Sequence, residues 1–366
     1  MDFQYQENVC LGFSLVPGIG PLRYQLLLKR FSSPLQSFNA HRKDLAEVLG
    51  DTTADRLVRF RESFDANRFL SEYEKSNITI ITQYSPQFPR LLLQIQDPPI
   101  CLFALHKDNK PLINDDSVHI AVVGSRNYST YGKSVTYSIV SELAEAGMTI
   151  VSGLALGIDA IAHQAALDAG GKTVAVLGCG VDVVYPPHNH VLRKQIIDSG
   201  NTLISEFAPG TQPSRGSFVV RNRIVSGMSR GVLITEGTDR SGSLITATNA
   251  AEQGRDVFAI PGSITSPTAQ APHILLKQGA KLVTSAADIL TEYSLQNEKT
   301  REKVELNLSD DARAVYSLLS SGAEFADEIA MQLKWSIIQV MSVLSVLEIE
   351  GVVTKDNEGK YAISSL

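Results

Sequence analysis

The middle of the chain carries four arginines with no acidic residue among them: Arg215, Arg221, Arg223 and Arg230. Phe218 lies inside this basic stretch. Guanidinium groups neutralise phosphates and an aromatic ring stacks on a base. The combination is therefore typical of a surface that binds an extended single strand of nucleic acid.

The structural alternative for these arginines is ion pairing inside the protein. Arg221 and Arg223 could pair with Glu206 or Glu236, which flank the basic stretch. Burying many guanidinium groups without carboxylates is costly, so pairing explains one arginine more readily than all four. The sequence leaves both roles open for any single arginine.

Small and polar residues follow the predicted strands at the points where those strands end. Glycine there lets a phosphate approach backbone amides at a helix start, and arginine offers it a fork of donors. This set comprises Gly124, Ser125, Arg126, Gly153, Ser241, Gly242, Ser243 and Thr246. We expect these residues to face the arginine stretch across a groove, because ligands of such sheets bind beyond the carboxyl ends of the strands.

Other chemistries lack the residues they need. Neither GxGxxG nor GxxxxGK(S/T) occurs at these turns, which argues against a dinucleotide cofactor and a P-loop ATPase. His163, His188 and His190 show no metal-ligand spacing with a partner. Ser241 and Ser243 are not in a Gly-x-Ser-x-Gly elbow. We expect no catalytic residue, no metal and no cofactor.

The elements that position these residues alternate regularly over residues 77–295. Short runs of Val, Ile and Leu alternate with longer helical patterns, which is typical of a parallel sheet covered on both faces. We predict an α/β domain with a Rossmann-like, doubly wound, mostly parallel sheet. Its strands are predicted at 78–82, 118–123, 148–151, 172–177, 201–205, 231–235, 257–260 and 280–283. The proline-containing segment between Pro86 and Pro99 is interpreted as an entry to this domain rather than as part of its core.

The flanking segments predict two smaller domains. Residues 1–76 are predicted to be helical, of a SAM or helix-hairpin-helix type, with a turn at Pro17–Gly20 that could face a DNA phosphate or simply connect two helices. Residues 296–305 are predicted to be a linker, and 306–366 three helices and a hairpin, a winged helix. Its third helix, 337–347, has no basic residue, which favours a protein-contacting or structural role over duplex reading.

The totals limit the class of protein. The net charge of −6 means that any nucleic-acid binding depends on a local patch rather than on an overall field. The three cysteines are odd in number and far apart, which suits a reducing cytoplasm. The N-terminus has no signal-peptide pattern, and no apolar run is long enough to predict a membrane span.

Six motifs occur in order along the central domain. They are Val123-Gly124-Ser125-Arg126, Ser152-Gly153-Leu154-Ala155-x-Gly157-Ile158-Asp159, Leu177-Gly178-Cys179-Gly180-Val181-Asp182-x-x-Tyr185-Pro186, Arg221-Asn222-Arg223-Ile224-x-Ser226-Gly227, Ser241-Gly242-Ser243-Leu244-Ile245-Thr246-Ala247 and Gly254-Arg255-Asp256-Val257-Phe258-Ala259-Ile260-Pro261-Gly262. Each is weak alone, but together they resemble the DNA-processing protein DprA (Smf) family over about 120–290, with similar flanking domains.

The resemblance implies a bacterial cytoplasmic protein that is a homodimer through its Rossmann-like domain. It implies binding of single-stranded DNA and loading of the RecA recombinase onto incoming strands during natural transformation. The family's single-strand contacts carry over to Ser125, Arg126, Arg215, Phe218, Arg221 and Arg223, and to Lys172 at the start of the third strand of the alternation. Asn222, between the last two arginines of this set, is predicted to belong to the same site.

Two departures from the family pattern and one rival function accompany this resemblance. Val219 stands where the family often has proline, and Ala271-Pro272-His273 stands where it often has Gly-x-Asn, which puts a backbone contact of that loop in doubt. The rival function is an enzyme that hydrolyses the glycosidic bond of a nucleoside monophosphate, with Glu236 as its carboxylate.

Overall fold

The computed structural model describes residues 3–107, 113, 117–295, 308–319, 324–349, 352–355 and 359–363. The chain divides into two compact units, Met1–Ala286 and Ala287–Leu366. The predicted linker at 296–305 lies outside the described residues.

The helices are numbered in chain order, and α1 to α6 lie within the first 76 residues. They are α1 Phe3–Leu15, α2 Pro21–Phe31, α3 Pro34–Asn39, α4 Arg42–Leu49, α5 Asp51–Ser63, α6 Ala66–Lys75, α7 Arg90–Leu93, α8 Thr130–Glu145, α9 Ile158–Asp168, α10 His190–Asp198, α11 Arg215–Gly227, α12 Gly242–Glu252, α13 Gln270–Lys277, α14 Ala286–Glu292, α15 Asp310–Leu319, α16 Ala326–Leu333 and α17 Ile337–Ile349.

The strands form one large sheet and one small hairpin. They are β1 Ile78–Thr82, β2 Cys101–Leu105, β3 His119–Val123, β4 Thr149–Ser152, β5 Lys172–Val176, β6 Thr202–Ser205, β7 Gly231–Ile234, β8 Asp256–Ala259, β9 Lys281–Leu282, β10 Val353–Lys355 and β11 Tyr361–Ile363.

The nine-stranded sheet has the order β1-β2-β6-β5-β4-β3-β7-β8-β9. Strands β3 to β9 are parallel, whereas β2 pairs antiparallel with both β6 and β1. Strands β3, β4, β6 and β7 are buried along their whole length, as expected for apolar runs covered on both faces. The order reverses between β3 and β7, which is the point at which doubly wound sheets form a crevice.

The N-terminal helices have their own core and also pack against the sheet. Tyr24 and Leu27 are fully buried among the helices. Leu11 of α1 instead joins a cluster with Ile78 and Phe103 of the first two strands. The helices and the sheet therefore belong to one compact unit, joined through α1 and through α6, whose Tyr73 ring contacts Phe103.

Within the second unit, helices α15 to α17 and the hairpin share one core. Val340, Leu344 and Leu347 point from α17 into its core, and β10 pairs antiparallel with β11. Ile338 and Ile349, on the other side of α17, are 79% and 87% exposed, so this helix presents an apolar rather than a basic surface. In the part of the chain that the structure describes, no single helix is long and apolar enough to cross a membrane; α16 and α17 meet that criterion only as a pair bent by 117°.

The predicted fold is confirmed: a doubly wound, mostly parallel sheet with N-terminal helices and a C-terminal winged helix. One strand was missed. Cys101–Leu105 directly follows the proline-containing segment, which the sequence predicts to be an entry rather than core, yet Leu102 and Phe103 are fully buried. This strand, β2, pairs with β1 and β6, which the sequence does predict. Its position in the sheet depends on this long-range pairing.

Candidate functional site

A small pocket lies beyond the carboxyl ends of β3, β4 and β5, where α11 crosses them. Its volume is about 40 Å³, and its lining includes Arg126, Gly153, Gly178, Tyr185, Phe218 and Arg221. Leu156 and Leu177 add apolar surface. The lining thus combines cationic, aromatic and small residues from separate parts of the chain, which is the combination predicted for a single-strand site.

The arginine stretch forms a helix rather than an extended segment. Ser214 caps α11: its Oγ accepts from the Ser217 N–H at 3.1 Å, and the Ser217 Oγ accepts from the Ser214 N–H at 3.0 Å. This reciprocal pair satisfies backbone donors at the helix start. The Ser217 Oγ also contacts the Gly178 carbonyl oxygen at 2.5 Å, which ties the start of α11 to the loop after β5.

Three side chains form the exposed side of the pocket. The rings of Tyr185 and Phe218 are stacked, with centroids 5.3 Å apart and planes 28° apart. The Arg126 guanidinium carbon lies 5.9 Å from the centroid of Phe218, within range of a cation–π interaction. Tyr185 was not among the predicted site residues, although it belongs to a recognised motif. An aromatic residue in the loop after a strand end was the available signal.

Arg221 forms the floor of the pocket rather than its surface. The side chain is buried, and its Nη1 donates to the Gly153 carbonyl oxygen at 2.6 Å and to the Val176 carbonyl oxygen. Burial lowers the pKa of Arg221, while the nearby Asp159 opposes that shift. The Asp159 carboxylate accepts from the Gly153 and Ala155 N–H groups, and burial raises its pKa. Arg221 and Asp159 are thus partly compensating charges beneath the pocket.

Arg223 lies outside this pocket, in a separate cluster. Its Nε lies 2.8 Å from Asp97 and its Nη2 lies 2.6 Å from Glu206, and all but 9% of its side chain is buried. Burial raises the pKa of Glu206, and the charge of Arg223 opposes that rise. Arg223 is therefore paired inside the protein, which is the structural role that the sequence left open for it. This geometry does not support the predicted contact of Arg223 with a phosphate.

Two glycines give the pocket its shape. A Cβ on Gly178 would lie 2.6 Å from Cδ1 of Phe218, and a Cβ on Gly153 would overlap the guanidinium of Arg221. Real Cβ atoms do not make contacts this close, so a side chain at either position would displace the ring or the floor. Gly124 does not line the pocket, but a Cβ there would lie 2.8 Å from Cγ1 of Ile158, so packing alone restricts that position.

The crevice at the switch point between β3 and β7 is filled by Glu236. Its buried carboxylate accepts from the Ser129 N–H at 2.8 Å, the Ser129 Oγ at 2.6 Å and the Thr268 Oγ1 at 3.0 Å. This carboxylate holds the start of α8 against β7. The rival enzymatic function needs Glu236 as its carboxylate. Both oxygens of this carboxylate already accept hydrogen bonds from Ser129 and Thr268.

The serine turn after β7 acts mainly as a helix cap. Ser241 caps α12 and accepts from the Ser243 N–H at 3.3 Å, while Ser243 and Thr246 are buried. Gly242 is exposed. The turn lies beside the loop after β3 because β3 and β7 are neighbours, yet it does not contribute to the lining of the pocket.

The remaining predicted residues are spread around the sheet. The Ser125 Oγ accepts a hydrogen bond from the Asn127 N–H within the same loop. The Asn222 Oδ1 accepts from the Arg221 Nε at 3.1 Å. Arg215 is exposed at the first position of α11. Lys172 opens β5, and the amino ends of parallel strands lie at the opposite edge from their carboxyl ends. The structure therefore does not bring Lys172 to the pocket.

Neither the histidines nor the acidic residues suggest a metal. No group of three or more His, Cys, Asp or Glu side chains in the described ranges could hold a metal ion. His163 is buried instead, with Nδ1 2.7 Å from the Thr173 Oγ1. Because the Thr173 hydroxyl also lies 2.8 Å from the Ile150 carbonyl oxygen, to which it donates, Nδ1 carries the proton and donates to Thr173.

Family models match most of this chain. Residues 79–294 match the model described as DNA recombination-mediator protein A, and residues 299–359 match the DprA winged helix domain. The DNA processing protein DprA of Bacillus subtilis is 43% identical over 230 residues, which cover 63% of this chain and 76% of that protein.

Two solved structures are similar to the chain. The structure of DNA processing protein A from Streptococcus pneumoniae is 37% identical with a TM-score of 0.65, over 78% of this chain and 97% of that one. The second, DNA processing protein A from Helicobacter pylori, was described for its single-stranded DNA binding mode. It is 28% identical with a TM-score of 0.52, over 59% of this chain and 95% of that one.

Proposed function

The chain belongs to the DNA recombination-mediator protein A family, and on this basis we propose that it binds single-stranded DNA at the pocket beyond β3, β4 and β5. The observation that carries the proposal is the exposed Arg126 beside the stacked rings of Phe218 and Tyr185. The structure of the Helicobacter pylori relative, which was described for its single-stranded DNA binding mode, supports the same ligand.

The chemistry of the pocket favours a single strand over a duplex. Arg126 at its rim and Arg215 at the start of α11 are exposed cations that can each neutralise a phosphate. A cavity of about 40 Å³ with an aromatic wall admits only part of an unpaired base. In a duplex the base faces are stacked within the helix and cannot reach such a ring.

Arg221 contributes to this site from below. Its guanidinium is engaged by carbonyl oxygens, so it acts by adding positive charge beneath the pocket and by fixing the ends of β4 and β5. Since the whole protein carries a net charge of −6, this local group of arginines has to attract the phosphates.

The wider role follows from the family. We propose that the protein acts as a mediator without catalysis: it covers incoming single strands during natural transformation and loads the RecA recombinase onto them. We also propose that it dimerises through the Rossmann-like domain and acts in the cytoplasm, where its three buried, unbridged cysteines stay reduced. Residues 306–366 include nine acidic and four basic side chains, and α17 has an apolar face, so the winged helix is suited to a protein partner rather than to a duplex.

One binding experiment tests the central claim. A fluorescent single strand and its duplex are titrated with the wild type, with Arg126→Ala and with Arg230→Ala. Arg230→Ala is the matched control, because it also removes an exposed arginine but lies at the N-terminal end of β7. We expect preference for the single strand, and weaker binding only for Arg126→Ala. Equal affinity for the duplex, or equal effects of both substitutions, would contradict the proposal.

Two further assays address the wider role. RecA filament formation on strands already coated by a single-strand binding protein should accelerate when the protein is present. Incubation with nucleoside monophosphates should release no free base. Release of base that requires Glu236 would overturn the non-catalytic role.

A further inference from the structure

Tyr185 is an exposed aromatic residue that the fold holds beside the proposed site. Its side chain is 36% exposed, and its ring stacks on Phe218 at a centroid distance of 5.3 Å. Building on the proposed function, we propose that Tyr185 is a nucleobase-stacking residue: its outer ring face receives one base of the bound single strand.

The loop that carries Tyr185 is fixed on both sides. The Asp182 carboxylate accepts from the Gly210 N–H at 2.8 Å, and the Asn189 Nδ2 donates to the carbonyl oxygens of Leu154 and Ala155 at 3.0 and 3.1 Å. The Asn189 N–H also donates to the Pro186 carbonyl oxygen. A ring on a loop anchored in this way loses little conformational entropy when a base stacks on it.

The geometry of the two rings decides where the base lies. Stacked rings are already in contact at a centroid distance of 5.3 Å, so no base fits between Tyr185 and Phe218 without separating them. The outer face of Tyr185 is the face available to a ligand, and the 36% exposure of the side chain is consistent with it. The base therefore adds a third layer to an existing two-ring stack.

The neighbouring charge fits this arrangement. Arg126 lies against the same stack, with its guanidinium carbon 5.9 Å from the centroid of Phe218. A base on Tyr185 would thus have a cation nearby for a phosphate of the same strand. Because every base has a π-face, the contact is tolerant of sequence, as a mediator that covers arbitrary strands requires.

The competing role for Tyr185 is to shield Phe218 from water, and oligonucleotide chemistry separates the two. The full-length protein is titrated with a short thymidine oligomer and with an oligomer of the same length in which abasic residues replace the nucleosides. The proteins are the wild type, Tyr185→Phe, Tyr185→Ala, Tyr185→Leu and Tyr137→Ala. Leu keeps apolar bulk without a π-face, and Tyr137 is a comparably exposed tyrosine of α8 that donates to Asp168.

We expect Tyr185→Ala and Tyr185→Leu to weaken binding of the thymidine oligomer about tenfold, the size of one base–aromatic contact, and Tyr185→Phe and Tyr137→Ala to bind like the wild type. On the abasic oligomer all five proteins should bind alike. Equal losses on both oligomers would show a purely structural tyrosine and overturn the inference.

The failure of this inference is distinguishable from failure of the proposed function. Unchanged binding by Tyr185→Ala and Tyr185→Leu, alongside weaker binding by Arg126→Ala, would overturn the stacking role and leave single-strand binding intact. A wild type that binds neither oligomer would overturn both.

Discussion

Arg221 and Arg223 are two residues apart on α11, and they serve opposite sides of that helix. Arg221 donates to carbonyl oxygens beneath the pocket, whereas Arg223 pairs with Asp97 and Glu206. Two residues of an α-helix are rotated by about 200°, so neighbouring arginines that would share a face in an extended chain are separated here. Of these two arginines, Arg221 therefore lines the pocket, and Arg223 is a structural residue paired with two carboxylates.

The buried position of Arg221 makes it a residue of stability. We expect Arg221→Ala to lower the free energy of unfolding by about 3–5 kcal/mol, because the substitution leaves buried carbonyl oxygens and Asp159 uncompensated. Urea unfolding measures this loss. Arg215→Ala, at an exposed position of the same helix, should stay within about 0.5 kcal/mol of the wild type. Similar stabilities for the two variants would contradict the buried role.

The exposed arginine at the start of α11 should act through phosphates. We expect Arg215→Ala to reduce the slope of log affinity against log salt concentration for a single strand by about 0.7, the value of one phosphate contact. Fluorescence titrations over a salt series measure it. Lys172→Ala serves as the control because Lys172 lies at the amino edge of the sheet, and its slope should equal that of the wild type. A reduced slope for Lys172→Ala would extend the site to that edge.

The contact between Gly178 and Phe218 can be tested without removing any ligand-binding group. A Cβ at position 178 would lie 2.6 Å from Cδ1 of Phe218, so Gly178→Ala should displace the ring and weaken single-strand binding. Gly216→Ala, on the exposed side of α11, would place its Cβ 3.9 Å from the nearest atom and should bind normally. It should also stabilise the helix by about 0.5–1 kcal/mol. Normal binding by Gly178→Ala would show that the ring position is unimportant.

The buried His163 should make stability depend on pH. Burial lowers its pKa from 6.5 to about 3, so between these values the unfolded state binds a proton that the folded state does not. Lowering the pH through this range therefore stabilises the unfolded state by up to about 1.4 kcal/mol per pH unit.

Urea unfolding at a series of pH values measures the effect of His163. Relative to the wild type, His163→Gln should lose this contribution to the slope below pH 6.5, whereas His188→Gln, at an exposed position of a short 3-10 helix, should retain it. Identical pH profiles for the wild type and His163→Gln would show that the imidazole is not held neutral.

The sequence predicts the strand ends more fully than it predicts the pairing of side chains. Periodicity places Arg126 and Gly153 after their strands, because a parallel sheet brings its carboxyl ends to one edge. The pairing of Arg223 with Asp97 joins residues far apart in the chain, and no local pattern encodes it. Strand β2 and Tyr185 were missed for the same reason, since their roles depend on partners elsewhere in the sequence.

The two glycines that shape the pocket restrict how relatives of this protein can diverge. Because a side chain at Gly153 would collide with Arg221 and one at Gly178 with Phe218, substitution cannot gradually reshape the wall or the floor. Substitutions at the exposed Arg126 and Tyr185 would instead alter contacts with the Phe218 ring and leave both glycine contacts in place. We therefore expect Gly153 and Gly178 to tolerate fewer substitutions than the exposed residues at the rim of the pocket.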